Sequence, residues 1–226
     1  MMTSGKILQN KFVLFFKILF IAILINSYFI NQSANSYSSD PKQFITEVID
    51  EAIKTLGDKN LNQATKNNVI EKIALEAVDI RALGLYSLGE IRTTLSPEQL
   101  EKYQSLFEKY FIKSLNSRLT DYSKQTINIF GSETLNENYT MVNSRIAAND
   151  KNPEIKVDWR VYTKNIDKPL IRDLVVEGLS LARTQKEEFN SILAANENKI
   201  EFLFEKLSAF IDRKSTRLNS SHRCIS

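Results

Sequence analysis

The sequence predicts an α+β fold: helices first, then a four-stranded antiparallel sheet, then helices again. Three observations carry this. Apolar residues recur at steps of three and four from Pro41 to Tyr122, the period changes to two between Lys124 and Glu177, and the helical period returns from Ser180 to Ile211. No internal repeat or low-complexity linker divides residues 37–211, so they read as one domain.

In the first helix, over 41–56, Phe44, Ile45, Val48, Ile49, Ala52 and Ile53 share a face. Asp40 is placed to cap it and Pro41 takes its first position. Gly57-Asp58 ends it. Val69, Ile70, Ile73, Ala74 and Ala77 mark a second helix over 62–78, and a shorter apolar helix over 79–88 stops at Gly89. Ser96-Pro97-Glu98-Gln99 is a capping box with proline at the first helical position. The long helix it opens carries Leu100, Tyr103, Phe107, Tyr110, Phe111, Leu115, Leu119 and Tyr122 in one stripe. That stripe is expected to pack on the sheet, or to wall a ligand cavity.

The strands are expected over 124–130, 138–148, 154–163 and 170–177, with turns at 131–136, at Asn149-Asp150-Lys151-Asn152-Pro153 and at 164–169. The third alternates most cleanly. Ile155, Val157, Trp159 and Val161 face one way, and Lys156, Asp158, Arg160 and Tyr162 the other. Four consecutive strands joined by short turns imply a meander with one buried face, to which the second strand adds Val142 and Ile146. Gly178-Leu179-Ser180 reads as its end. Helices over 180–194 and 197–211 close the domain, the second apolar around most of its circumference through Ile200, Phe202, Leu203, Phe204, Leu207 and Phe210.

The two ends differ in character from this body. Residues 1–36 hold Lys6, Lys11 and Lys17, no acid, and an apolar run from Phe12 to Ile25 broken only by Lys17. A membrane span needs about 20 apolar residues. This shorter run, followed by Ala34-Asn35-Ser36, reads as a secretory signal peptide cleaved before Tyr37, so the domain is expected to be exported. Residues 212–226, DRKSTRLNSSHRCIS, have no apolar periodicity and resemble the conceptual translation of a sequencing-library adapter, a non-native tail. The chain's one His (His222) and one Cys (Cys224) both lie there.

The chain's formal charge is +3, but its ends hold seven of the 30 basic residues and one of the 27 acids. Residues 37–211 therefore carry 23 basic against 26 acidic residues, near −3. A nucleic-acid partner loses its electrostatic footing. The body has no His or Cys, no glycine-rich phosphate loop, no G-x-S-x-G elbow and no cluster of metal ligands. Asp173 and Glu177, four apart on one strand, would stand about 13 Å from each other at roughly 3.3 Å per residue. That exceeds the spacing of a glycosidase pair, and both read as structural or surface groups. Asp158 beside Arg160 reads as a solvated cross-strand charge pattern. No catalytic residue, metal or cofactor is expected, and the chain reads as a non-enzyme.

Residues 157–189 contain Val157-Asp158-Trp159-Arg160, then Asp173 ahead of Val175-Val176-Glu177-Gly178, then Ser180-Leu181, Thr184-Gln185 and Phe189. Upstream stand Leu88-Gly89, the Ser96 capping box, Phe107, Arg118-Leu119 with Tyr122, and Val142 with Ser144-Arg145-Ile146. In this order and spacing the run from 41 to 211 resembles the MlaC (toluene-tolerance auxiliary component) family of periplasmic phospholipid-binding proteins. The chain departs from that pattern at Arg92, where the family has an aromatic, and at Asp167-Lys168-Pro169-Leu170, where it has a Gly-Trp-Lys hairpin.

The resemblance implies that sheet and helices enclose an apolar pocket for the acyl chains of one phospholipid, with the head group outside. It implies a shuttle within an ABC transport system that maintains outer-membrane lipid asymmetry. The partners would be an MlaA-like outer-membrane lipoprotein complex and an MlaD-like inner-membrane ABC transporter complex, and the carrier would be a monomer. The lining is expected from Phe107, Phe111, Val142, Ile146, Val157, Trp159, Val161, Leu174, Val176 and Phe204. Two other readings fit the residues alone. One is a cone-shaped α+β isomerase or cyclase, which would need an ionisable group pointing inward; the other is a ligand-free envelope scaffold held by an uncleaved leader.

Overall fold

The computed structural model describes residues 37–119, 126–149 and 153–213. The leader read over 1–36, the tail beyond Arg213, Tyr122, and the 150–152 part of the turn cluster lie outside them.

Local chemistry sets the helix starts. Helix α1 (Pro41–Gly57) begins where Gln43 N donates to Asp40 Oδ1 at 2.8 Å. Asn62 does the same for α2 (Gln63–Ala77), accepting from Thr65 N, and Asp79 for α3 (Ile80–Leu88), accepting from Ala82 N. Helix α3 ends at Gly89, whose φ of 63° with ψ of −135° is open to glycine alone, and a 3-10 turn (Gly89–Thr93) follows. The capping box of α4 (Pro97–Leu119) closes reciprocally: Gln99 N donates to Ser96 Oγ at 3.2 Å and Ser96 N to Gln99 Oε1 at 3.0 Å.

The sheet is antiparallel throughout, in the order β1 (Ile127–Asn136), β2 (Tyr139–Ile146), β3 (Ile155–Tyr162), β4 (Leu170–Val176), β5 (Leu179–Ser180). It has five strands, which corrects the expected four. Glu177 (φ 50°) and Gly178 (φ 82°) are both left-handed, as a two-residue hairpin requires, so the chain turns back and pairs Val175 with Ser180 and Val176 with Leu179. A strand of two residues has no period to read. Ser180 then caps α5 (Leu181–Ala194), accepting from Arg183 N at 3.1 Å.

Strand β1 also runs further than expected, through 131–136, and the turn is Glu137-Asn138. Its outer half is exposed on nearly every residue and irregular in register at Ile129/Gly131 and Thr134/Asn136, so it keeps a turn's composition while making strand pairs. Helix α6 (Ile200–Asp212) starts later than expected because Glu197 and Asn198 hold positive φ in the turn before it.

Two apolar cores result. In one, Phe44, Ile45, Val48 and Ile49 of α1 and Ile70, Ile73 and Ala77 of α2 cover Val142, Val161 and Ile171 of the sheet. The other is helical: Leu88, Tyr103, Phe107, Ile112, Phe189, Leu193, Leu203, Phe204 and Leu207 join α3, α4, α5 and α6. The aromatic stripe of α4 thus packs on helices rather than on the sheet, a correction to the expected packing. Among the described residues, Val78 and Leu115 touch both cores. Among the described residues, no helix is long and apolar enough to cross a membrane.

Candidate functional site

Register sorts the strand residues into two faces. Along the apolar face, Thr140, Val161 and Ile171 form one row, Val142, Trp159 and Leu174 the next, Ser144, Val157 and Val176 a third, and Ile146 and Ile155 a fourth. Val161 and Ile171 of the first row and Val142 lie beneath α1 and α2, with Trp159 packed at the edge of that core. Beyond Trp159 the face continues through Ile146, Val157, Leu174 and Val176, which belong to neither core among the described residues. Ile146, Leu174 and Val176 are half-buried and Val157 is buried. The polar groups here are satisfied within the sheet: Trp159 Nε1 donates to Ser144 Oγ at 2.9 Å, and that hydroxyl donates to Val157 O at 2.8 Å. An apolar strip with its polar atoms already paired favours an apolar occupant.

The ten residues expected to line a pocket therefore divide. Ile146, Val157, Trp159, Leu174 and Val176 share this strip, and Val142 and Val161 sit at its closed end, inside the core. Phe107, Phe111 and Phe204 belong to the helical core, where Phe107 stands 5.8 Å from Tyr103 and 6.3 Å from both Phe111 and Phe189 between ring centroids. Tyr103 in that core is fully buried, and its hydroxyl lies 2.8 Å from Ser87 Oγ. Burial pushes its pKa well above the ordinary range.

The opposite face of the sheet is polar and holds what alternation alone missed. Arg160 pairs with Asp173, and the register slips by one residue after it, so Arg172 is an extra residue on β4. That bulge turns Arg172 toward the same face as Asp173. Arg172 Nε and Nη2 meet Asp79 Oδ2 at 2.8 and 2.7 Å, Nη1 donates to Tyr139 OH at 3.1 Å, and the guanidinium lies 3.4 Å from the Tyr162 ring centroid. Partial burial works against its charge, but Tyr139 and Asp79 outweigh this and hold its pKa above the ordinary value. Asp173 is buried and accepts from Ser180 Oγ (2.6 Å), Ala182 N (3.0 Å) and Arg160 Nη1 (3.3 Å). It is structural, as expected, but Glu177 is no partner on the same strand: it lies in the turn and accepts from Lys156 N. Asp158 corrects its expectation too, being buried and held by Asn143 Nδ2 (2.9 Å) and Lys156 Nζ (2.8 Å) rather than solvated.

A cavity of about 480 Å³ opens over this polar face. Arg160, Arg172, Asp173 and Tyr139 come from the sheet, Leu135 and Asn136 from the β1–β2 hairpin, Ala82, Leu83 and Tyr86 from α3, and Ala182 from α5. No member of the expected lining is among them. Among the described residues, no group of His, Cys, Asp and Glu could hold a metal ion.

The family model of the MlaC protein matches residues 46–209, which takes in the whole sheet, the helical core and all of the buried sheet core except Phe44 and Ile45. The chain belongs to the MlaC family. A solved structure, the phospholipid-binding protein from Ralstonia solanacearum in complex with a phospholipid, has the same fold: TM-score 0.63 at 17% identity, covering 79% of this chain and 97% of that one. No curated protein matches the chain by sequence. In this MlaC-family chain the motif Val157-Asp158-Trp159-Arg160 puts Val157 and Trp159 on the apolar strip and Asp158 and Arg160 on the polar face.

Proposed function

We propose that this MlaC-family chain binds one phospholipid and carries it through the periplasm, exported by its leader, between an MlaA-like outer-membrane lipoprotein complex and an MlaD-like inner-membrane ABC transporter complex. The supporting observation is the strip of Ile146, Val157, Leu174 and Val176, an apolar sheet surface outside both packed cores, with Trp159 at its border with one of them. The fold it shares with a phospholipid-bound protein points the same way. Acyl chains lie along this strip, closed at one end by Val142 and Val161. Phe107, Phe111 and Phe204 reach the chains when the helices of the second core part.

Magnitudes set the mechanism. Burying about 30 methylenes at roughly 0.8 kcal/mol each gives on the order of 25 kcal/mol, close to what the chains lose on leaving a bilayer. Exchange with a membrane is then nearly balanced while unassisted release is slow. Docking to the partners opens the site, and the partners supply direction.

Mass spectrometry of an organic extract of the full chain, purified from the periplasm, is the test. About one phospholipid per chain is expected, with a marked loss in Leu174→Asp and Val176→Asp, which charge half-buried positions outside the packed cores. Val161→Asp is unsuitable because Val161 is fully enclosed. Phospholipid retained equally by both folded variants overturns the assignment of the strip.

A further inference from the structure

The cavity on the polar face lies on the other side of the sheet from the acyl-chain strip, so it is a separate space. We propose that it binds a small amphiphilic anion, one carboxylate or phosphate carried on a single apolar chain.

Its donors and acceptors are unequal. Both oxygens of Asp173 are already engaged, by the Ser180 hydroxyl and Arg160 on one and the Ala182 amide on the other. Asp79 is likewise engaged, by Arg172 and by the Ala82 amide. Neither carboxylate is left to receive a cation. The guanidinium groups have donors to spare, since each carries five N–H bonds. Arg160 spends one of them on Asp173, at 3.3 Å, and its side chain is 39% exposed.

Among the residues that line the cavity, Arg160 and Arg172 stand against one carboxylate, Asp173, while Asp79, which pairs with Arg172, is outside the lining. The remaining walls are apolar: Ala82, Leu83, Leu135, Ala182 and the Tyr86 ring. Leu135 and Tyr86 are 42% exposed each, an uncommon exposure for large apolar groups that face a shared cavity. A volume near 480 Å³ falls within the usual range of small-molecule sites, about 300–1,000 Å³. An occupant with an acceptor group at Arg160 and a short chain against Leu83 and Leu135 satisfies both halves of the lining.

Decanoate titrated into the phospholipid-loaded full chain, followed by calorimetry and by NMR, tests this. Saturable one-to-one binding without release of phospholipid is expected, with decanol binding roughly tenfold more weakly because a charge-assisted hydrogen bond is missing. Arg160→Gln removes the charge, and Leu135→Asp, at an exposed hairpin position that folding tolerates, places a like charge in the lining. Each is expected to weaken decanoate by roughly tenfold while phospholipid content stays as in the unaltered chain. Absence of saturable binding, equal affinity in both variants, or displacement of phospholipid by decanoate overturns the proposal.

Discussion

Tyr103 shows how a polar atom is accommodated among the four helices of the second core. Ser87 Oγ donates to Gly84 O at 2.9 Å, so Tyr103 is the donor in the 2.8 Å contact between the two hydroxyls. Tyr103→Phe is expected to cost about 1 kcal/mol at neutral pH, since the serine keeps a partner. The larger effect appears in alkali. The phenol ionises near its ordinary value of 10.0 when unfolded but higher when buried, so its contribution is complete below pH 10 and falls as pH rises above it. Denaturant unfolding is expected to lose about 1.4 kcal/mol per pH unit there from Tyr103, a slope absent in Tyr103→Phe. Tyr37 and Tyr110 shift in the same direction and add to the alkaline loss, so the share of Tyr103 is read from the difference in slope between the unaltered chain and Tyr103→Phe.

Asp173 joins β4 to the start of α5, and its removal leaves the Ser180 hydroxyl and the Ala182 amide without their acceptor. Asp173→Ala is expected to cost about 3 kcal/mol and Asp173→Asn about half of that, by denaturant unfolding. At this scale the sequence was half legible. Alternation placed Asp158 and Arg160 on the polar face of β3, but the bulge at Arg172 comes from tertiary fit and leaves no mark in the pattern. Hence Arg172, Tyr139 and Tyr86, which build the polar cavity, were not singled out.

Among the elements, α3 and α4 approach closely at Gly84. A Cβ added at Gly84 would meet Phe107 Cδ1 at 2.9 Å, and Phe107 is packed on all sides by Tyr103, Tyr110, Phe111 and Phe189. Gly84→Ala is therefore expected to lower stability by about 1–3 kcal/mol despite alanine's better helix propensity, measured as a drop in denaturation midpoint. The caps at Asp40, Gly89 and Ser96 were legible because each acts through a side chain or backbone freedom that its own residue supplies. The fifth strand and the outer half of β1 were not. One is too short for a period, and the other is polar apart from Leu135 and exposed on nearly every residue.

At the scale of the whole molecule, the chain builds two cores and leaves an apolar strip on the sheet outside them. Val157 and Trp159 were legible from the alternation of β3 and Ile146 from the pattern of β2, while Leu174 and Val176 were expected only with the family resemblance; the split of the expected lining between sheet and helices depends on how α4 packs, which periodicity does not encode. Trp159 stands at the strip's edge and is the chain's one tryptophan, so its fluorescence reports on that place alone. Loading the full chain with a phospholipid brominated along its acyl chains is the most direct test of the carrier reading. Strong quenching of Trp159, relieved by exchange for the unbrominated lipid and absent in folded Val176→Asp, is the predicted result. Stoichiometric uptake of the brominated lipid with Trp159 emission unchanged would place the acyl chains elsewhere and contradict the account.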